Sequence, residues 1–366
     1  MTKEIVVVGA GVIGLSTALA ICERSKQDST HVTVIARHFP DDSNYDPEYT
    51  SPWAGAHFRP FPSKNPQEWE ESKLTRITQK YFRKLAINCP ESSVQFIIGE
   101  DSLEDPDKYY QDLAKGYTED IEDFEILPAE IANTRGAKLA TRYKTWVLNP
   151  PIYLNYILRR LRLEYGVDFV KSPVLSNLKQ VFEVTNVKPS VVINCTGNGL
   201  QYDGGLDPES FPIRGQTVLV RPPLPLADGP YHARTITHQS KDGKWTFCIT
   251  RPFCGGTIIG GTKQVNDLYN KPRESDTKEV LDRAAKIFPE LMKTDKDGKK
   301  YFDVFQTNVG FRPARNGGFR LERENHGSHK IIHAYGAGGM GYELSYGVGT
   351  KVHDLLVKVL NESSRL

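Results

Sequence analysis

The chain has 366 residues, more than one hydrophobic core usually serves, and this length predicts two domains or two interleaved lobes. A net charge of +2 without any lysine- or arginine-rich block gives no reason to expect a nucleic-acid partner. No apolar run approaches the ~20 residues of a membrane-spanning helix. Five scattered cysteines, with neither a CxxC pair nor metal-ligand spacing, predict reduced thiols in a soluble intracellular protein.

The first forty residues predict a β-α-β unit. Residues 5–8, Ile-Val-Val-Val, form a continuous β-branched run that is typical of a strand buried on both faces of a parallel sheet. A glycine-rich turn, a helix over 12–24 and a second strand over 31–36 follow. Residues 38–66 contain six prolines and therefore predict a loop.

Further strands and helices are predicted along the remainder of the chain. We expect a helix over 67–88, mixed helix and loop over 105–135, and a strand over 190–194. Strands are then expected near 216–220, 245–249 and 256–261, a helix near 276–288, a strand over 330–334, a glycine-rich turn and a helix over 347–360. Because nucleotide-type elements occur at the start, middle and end of the chain, the two lobes are expected to interleave.

The first turn has the pattern of a dinucleotide site. Gly9, Ala10, Gly11, Val12, Ile13 and Gly14 fit G-x-G-x-x-G between a strand and a helix. Glycines let the backbone approach a pyrophosphate, and the helix N terminus supplies free N–H groups and positive potential. The second strand ends with Arg37 and His38 instead of an acidic residue, so Arg37 could meet the 2′-phosphate of NADP or the two backbones could serve FAD. This strand alone does not choose between the cofactors.

Three further stretches carry a family resemblance. Residues 50–56, Thr-Ser-Pro-Trp-Ala-Gly-Ala, resemble the segment after the second strand in fungal D-amino-acid oxidases. Residues 331–341, followed by Gly347, resemble that family's C-terminal signature, with Gly349 in place of a small residue such as alanine. Residues 310–315, Gly-Phe-Arg-Pro-Ala-Arg, resemble its G-[FL]-R-P-x-R motif. Shorter matches at 194–197, 214–216 and 260–262 extend the resemblance over nearly the whole chain.

The resemblance implies an FAD enzyme of mixed architecture. The fold class it implies is α/β plus α+β: a Rossmann-like FAD-binding domain (1–60, 140–200 and 305–366) interleaved with a mixed-sheet substrate-binding domain (61–139 and 201–304). FAD contacts are expected from the Gly9–Gly14 turn and from these further positions: Arg37, His38, Thr50, Ser51, Gly55, Ala56, Val174, Thr196, Gly197, Gly338, Gly339, Met340, Gly341, Tyr342 and Glu343.

The implied reaction is the oxidation of a D-amino acid. In the family, the substrate α-hydrogen leaves as hydride to the flavin, the imino acid hydrolyses, and O₂ becomes H₂O₂, so the protein supplies orientation and electrostatics. The resemblance assigns the substrate α-carboxylate to Arg312 and the amine to the carbonyl of Gly339. Phe247 falls where relatives carry an active-site tyrosine.

The side chain of the substrate is a separate question. D-aspartate needs a cation for its second carboxylate, because burying that charge unpaired is prohibitive. Lys263 stands where D-aspartate oxidases carry arginine in G-G-T-R-Q, and His57 and Arg59 follow the flavin segment. These three residues predict an acidic D-amino acid, with D-aspartate ahead of D-glutamate. Phe247 and these cations put the neutral-substrate pocket in doubt, and a broad oxidase of neutral D-amino acids is the alternative.

Further expectations concern partners and location. Residues 364–366, Ser-Arg-Leu, resemble the S-K-L peroxisomal address and predict import into the peroxisome matrix through its receptor. Residues 222–246 are expected to hold an entrance lid, in which Tyr231, His232 and Arg234 face the substrate or water. A homo-oligomer is possible. A different class, an NADP-binding redox sensor without oxidase activity, rests on Arg37 alone.

Overall fold

The computed structural model describes residues 2–25, 30–184, 188–223 and 233–363. The tripeptide 364–366 and the lid residues Tyr231 and His232 lie outside this range, so the peroxisomal signal and that part of the lid stay predictions. Within the described residues, no helix is long and apolar enough to cross a bilayer.

The elements are numbered in chain order. The strands are β1 (Lys3–Val8), β2 (Thr30–Ala36), β3 (Gln95–Leu103), β4 (Glu125–Ile126), β5 (Leu139–Val147), β6 (Asp168–Lys171), β7 (Val191–Asn194), β8 (Ser210–Arg221), β9 (Arg234–Gln239), β10 (Trp245–Thr250), β11 (Thr257–Gly260), β12 (Gln264–Val265), β13 (Lys293–Thr294), β14 (Lys300–Tyr301), β15 (Asp303–Arg315), β16 (Arg320–His326) and β17 (His329–Tyr335). The α-helices are α1 (Val12–Arg24), α2 (Pro66–Asn88), α3 (Lys108–Gln111), α4 (Ala129–Thr134), α5 (Pro150–Leu163), α6 (Lys179–Val184), α7 (Glu274–Ile287) and α8 (Gly341–Ser363).

The first sheet holds the β-α-β unit. Its strand order is β16-β17-β7-β1-β2-β6, and every pairing is parallel except that of β16 with β17. The central strand β1 is buried over its last four residues, as its unbroken apolar run predicts for a strand covered on both faces. Helix α1 packs against α8 and α5 beside this sheet. The carboxyl end of β1 therefore opens directly onto the N terminus of α1.

The second sheet is larger and mostly antiparallel. Its order is β12-β8-β11-β10-β9-β3-β5-β4, and β15 pairs along the other side of β8. Side chains alternate between its faces, as strand geometry requires. Val218, Cys248 and Ile259 point to one face, where they pack with Val280 and Ala284 of α7. The neighbouring residues in those strands line the opposite face, which borders the site described below.

The structure corrects two predicted elements. Helix α8 begins at Gly341, six residues before the predicted start at residue 347. Its glycines weaken an isolated helix, but they allow close packing: a Cβ at Gly347 would lie 2.2 Å from the carbonyl oxygen of Leu74. Residues 234–239, assigned to the lid, form strand β9 between β10 and β3. Both corrections arise from tertiary packing that local sequence does not reveal.

The division into two domains stays a prediction. The first sheet draws on segments near 3–36, 168–194 and 320–335, and the second sheet on segments between them. Two stretches assigned to the FAD-binding domain, 140–147 and 305–315, are strands of the second sheet.

Candidate functional site

A cavity of about 2110 Å³ is lined by residues of both sheets. This volume is larger than the ~300–1,000 Å³ of a typical small-molecule pocket. Among the described residues predicted to contact cofactor or substrate, all line it except Gly14 and the lid residue Arg234. The size of the cavity is that expected for a dinucleotide together with a substrate.

The glycine-rich turn is built for close approach of backbone. Gly9 has φ +109°, and a Cβ at this position would lie 2.4 Å from the carbonyl oxygen of Cys195. A Cβ at Gly14 would lie 1.9 Å from the carbonyl oxygen of Gly9, so helix α1 can start only with glycine there. Gly14 therefore packs against the turn without lining the cavity, whereas Gly9 and Gly11 line it.

Two helix N termini meet this cavity. Helix α1 has Gly11 at its N-cap with no side-chain cap, and only Ser51 Oγ accepts a hydrogen bond from Val12 N, at 3.0 Å. Helix α8 follows Gly336 and Gly338, which have φ +87° and +55°. Unsatisfied N–H groups and the helix dipole at each start favour an anion.

The segment after the second strand is fixed between the two sheets. Thr50 Oγ1 donates to the carbonyl oxygen of Phe311 at 2.5 Å, and Tyr342 donates from its hydroxyl to the carbonyl oxygen of Ser51 at 2.9 Å. Arg251, which the sequence reasoning did not single out, donates to the carbonyl oxygens of Gly55 at 2.8 Å and Ala54 at 2.5 Å. In sequence, Arg251 lies four residues after Phe247, and no local pattern indicates this role.

Replacing Arg251 with methionine is expected to weaken FAD binding on the order of tenfold, because buried carbonyl oxygens lose their hydrogen bonds and residues 52–55 lose their anchor. Titration of the apoprotein with FAD, followed by flavin fluorescence, measures this change. Arg221→Met removes an exposed arginine whose partner is Asp303, so it should leave FAD affinity unchanged. Equal affinities in the two variants would contradict the anchoring role.

The side chain of Arg37 is committed to two carboxylates. Its Nη1 lies 2.9 Å from Glu48 Oε2, and its Nη2 lies 2.9 Å from Asp46 Oδ2. A 2′-phosphate would have to compete with both, which removes the support for NADP. The glycine-rich turns, the two helix N termini and the segment fixed by Arg251 fit FAD.

Arg312, which is predicted to bind the substrate α-carboxylate, lies in β15 and lines the cavity. Arg312 extends over Gly215, where a Cβ would lie 2.3 Å from its Nη1. Its Nη1 donates to the carbonyl oxygen of Thr262 at 3.2 Å, and Gly339 lies beside its Cδ. Burial lowers the pKa of this guanidinium. Among the described residues Arg312 forms no ion pair, so its fork remains open to a carboxylate.

Phe247 and His57 line the same cavity as Arg312. A Cβ at Gly260 would lie 2.1 Å from Phe247 Cζ, so the ring lies across that glycine. The His57 ring lies 6.5 Å from the Phe247 ring, and His57 Nδ1 is 2.7 Å from Thr235 Oγ1. Burial and the charge of Arg59 lower the pKa of His57 to about 3. The prediction of His57 as a cation is therefore wrong, because its imidazole is neutral at physiological pH.

Arg59 is a fully buried cation. It is 2% exposed, its Nε donates to Asp101 Oδ2 at 2.7 Å, and its guanidinium lies 4.5 Å from the Trp245 ring centroid and 4.6 Å from that of Phe61. Burial lowers its pKa, but the charge of Asp101 raises it above the ordinary value. By distance and angle, its Nη1 and Nη2 have no hydrogen-bond partner among the described residues, although the Tyr110 hydroxyl also interacts with the guanidinium. Such unmet donors are rare and call for a ligand or water.

Two further basic residues, Lys263 and Arg234, have different surroundings. The Lys263 side chain is exposed at the border of the cavity, where water screens its charge. Arg234, the next candidate from the sequence, lies 3.4 Å from Glu100, which also pairs with Arg135 and Arg142. It does not line the cavity, because β9 directs it into this ion cluster. Among the described residues, no group of His, Cys, Asp and Glu could hold a metal ion.

Comparison with known proteins adds independent information. The model of the FAD dependent oxidoreductase family matches residues 4–355. A D-aspartate oxidase of Talaromyces thermophilus is 38% identical over 98% of this chain and 96% of its own length. A D-amino-acid oxidase of Schizosaccharomyces pombe is 35% identical over 95% of this chain and 96% of its own length.

Solved structures agree in fold. Glycine oxidase from Bacillus cereus superposes with a TM-score of 0.69 at 18% identity, covering 98% of this chain and 95% of that protein. L-proline dehydrogenase from P. horikoshii gives a TM-score of 0.70 at 18% identity, covering 98% and 94%. At this identity the likeness concerns the fold alone, while the family match covers nearly the whole sequence. The chain belongs to the D-amino-acid oxidase family of FAD-dependent oxidoreductases.

Proposed function

We propose that the enzyme oxidises acidic D-amino acids, with D-aspartate ahead of D-glutamate, and passes the electrons to O₂. The observation that carries this proposal is a second buried guanidinium in the cavity of Arg312: Arg59, with both terminal nitrogens unpaired among the described residues. The likeness to the T. thermophilus D-aspartate oxidase supports the same choice.

The register of the second sheet relates the positions of Arg59 and Arg312. On its cavity face, Asp101 of β3 pairs with Thr237 of β9, and Thr237 pairs with Phe247 of β10. Phe247 in turn pairs with Gly260, which leads into the Gly261–Thr262 turn that accepts from Arg312. Along the sheet, Asp101, which pairs with Arg59, and the turn that accepts from Arg312 therefore lie on opposite sides of Phe247. A ligand with a carboxylate at each end suits this arrangement.

Each protein group has a binding or positioning role in the reaction. Arg312 fixes the α-carboxylate in a bidentate pair, and the neighbouring Gly339 carbonyl accepts from the amine. When bound, FAD would accept the substrate hydride and return the two electrons to O₂, which would become H₂O₂, while water would hydrolyse the imino acid to an oxo acid and ammonia. The neutral His57 adds a hydrogen-bonding group without adding charge.

A second candidate is a broad oxidase of neutral D-amino acids. Asp101 favours it, because its carboxylate already neutralises the charge of Arg59. In that case the two Nη groups would bind ordered water instead of a substrate carboxylate.

A panel of D-amino acids, scored by peroxide release, separates the candidates. We expect kcat/KM for D-aspartate to exceed that for D-alanine by roughly tenfold to a hundredfold, since a charged hydrogen bond contributes about 1.5–3 kcal/mol. Faster oxidation of D-alanine or D-methionine than of D-aspartate at equal concentration would favour the neutral-substrate candidate. Absence of peroxide with every D-amino acid would contradict both.

A further inference from the structure

Glu343 is a buried carboxyl with one oxygen free. It lies in the first turn of α8 and is 7% exposed. Its Oε1 accepts a hydrogen bond from the backbone nitrogen of Arg59 at 3.3 Å. Its Oε2 has no hydrogen-bond partner among the described residues, and the residue lines the cavity. Arg59 therefore contributes two N–H groups without acceptors, and Glu343 contributes a carboxyl oxygen without a partner, to the same part of the cavity.

The charged groups around Glu343 come from three other elements. Arg59 lies in the segment before α2, Arg76 lies on α2, and both act electrostatically on the carboxyl. Within the part of the chain that the structure describes, the hydrogen bonds of Arg76 go to neutral groups: the carbonyl oxygens of Glu119 and Gly116 and the hydroxyl of Thr75. Asp101 on β3 pairs with Arg59 and accepts from the Tyr143 hydroxyl. His57, next in the segment, is neutral.

The charge of this region depends on one proton. Arg59, Arg76 and the Asp101 carboxylate together carry one positive charge while Glu343 is protonated, and ionisation of Glu343 adds a negative charge that acts on both arginines. Asp120 and Glu119 also act electrostatically on Arg76. Burial raises the pKa of Glu343 to about 8, although the Arg59 backbone hydrogen bond and the charges of Arg59 and Arg76 lower it in part. At neutral pH the carboxyl therefore keeps its proton.

We propose that Glu343 is a positioning residue for substrate selection: its proton leaves Arg59 free to bind the second carboxylate of an acidic substrate. The inference rests on the proposed function, because it concerns the same second carboxylate. Ionised Glu343 would compete with that carboxylate for Arg59 and Arg76, and the two anions would repel each other in a region screened from water.

The sign of the pH dependence follows from linkage. A dianion bound at Arg59 favours the neutral form of Glu343, so it raises the folded-state pKa of this carboxyl, and binding takes up a proton near pH 8. Affinity for the dianion should therefore fall as pH rises through about 8. A monocarboxylate bound only by Arg312 has no such coupling.

Succinate and propanoate are matched probes, because they are aspartate and alanine without the amino group. Their binding to the holoenzyme can be followed by the change in flavin absorbance between about pH 6.5 and about pH 9.5. We expect the Kd of succinate for wild type to rise on the order of tenfold over this range. The Kd of propanoate should stay nearly constant.

Glu343→Gln is the informative variant, because an amide imitates the protonated acid. It should bind succinate with nearly the same Kd across the whole range, equal to that of wild type at low pH. The same rise in Kd for Glu343→Gln as for wild type would overturn the assignment.

A measurement on wild type covers the case in which Glu343→Gln does not fold or bind FAD. Succinate added to weakly buffered holoenzyme at about pH 8 should draw protons from an indicator dye, whereas propanoate should not. No proton uptake contradicts the role of Glu343. If succinate binds no more tightly than propanoate at any pH, the proposed acidic specificity fails as well, which distinguishes the two failures.

Discussion

Arg312→Ala is expected to abolish useful turnover on every D-amino acid. Truncation removes the guanidinium that is proposed to bind the α-carboxylate, and a buried charge pair of this kind is worth about 2–5 kcal/mol, or roughly thirtyfold to several-thousandfold in kcat/KM. The guanidinium forms no ion pair among the described residues, so its charge is available to the substrate. Steady-state kinetics on D-aspartate and D-alanine should give similar losses for both.

Arg312→Lys is the matched control for this result. It keeps the charge but loses the planar fork and the hydrogen bond to the Thr262 carbonyl, so its activity should fall between wild type and alanine. An unchanged flavin absorbance spectrum in both variants would establish that FAD is retained. Near-normal kcat/KM in Arg312→Ala would mean that another residue binds the α-carboxylate.

Removing Arg59 is expected to change substrate preference more than general activity. Arg59→Met alone would leave Asp101 buried without its partner, so the informative variant is Arg59→Met combined with Asp101→Asn. In the double variant the ratio of kcat/KM for D-aspartate to that for D-alanine should fall roughly tenfold to a hundredfold, because about 1.5–3 kcal/mol of charged hydrogen bonding is lost. D-alanine has no second carboxylate to lose.

Lys263→Met provides the contrast. The Lys263 side chain is exposed, and exposed ion pairs contribute only about 0–1 kcal/mol, so the same ratio should change by no more than about fivefold. The opposite result would be a large fall in the D-aspartate to D-alanine ratio of kcat/KM in Lys263→Met and an unchanged ratio in the double variant that lacks Arg59. It would place the second carboxylate at the border of the cavity instead of its interior.

The main elements could be predicted from the sequence where the residues that determine them are neighbours along the chain. The β-branched run of β1, the spacing of Gly9, Gly11 and Gly14, and the prolines between β2 and α2 each act through neighbouring residues, and the structure has these elements at those positions. The early start of α8 escaped prediction, because its glycines are explained by contacts with α2 and α1, far away in sequence.

The family resemblance identified which residues to examine, but it could not assign their states. In the sequence alone, His57, Arg59 and Lys263 are equivalent, because each has a basic side chain. Their differences come from burial and partners: the half-buried His57 next to Arg59 is neutral, Arg59 is held charged by Asp101, and Lys263 is exposed. Asp101 lies 42 positions from Arg59, and no local pattern connects them.

The sequence by itself determined the β-α-β unit, the glycine-rich turns and the FAD-dependent family, because these depend on periodicity, on glycine conformation and on short motifs. Only the tertiary structure decided which cations carry charge and which have free donors. It brought Arg59, Arg76, Asp101 and Glu343 together from four separate segments. The physical reason is that burial and pairwise electrostatics depend on distances in space, which the order of residues along the chain does not specify.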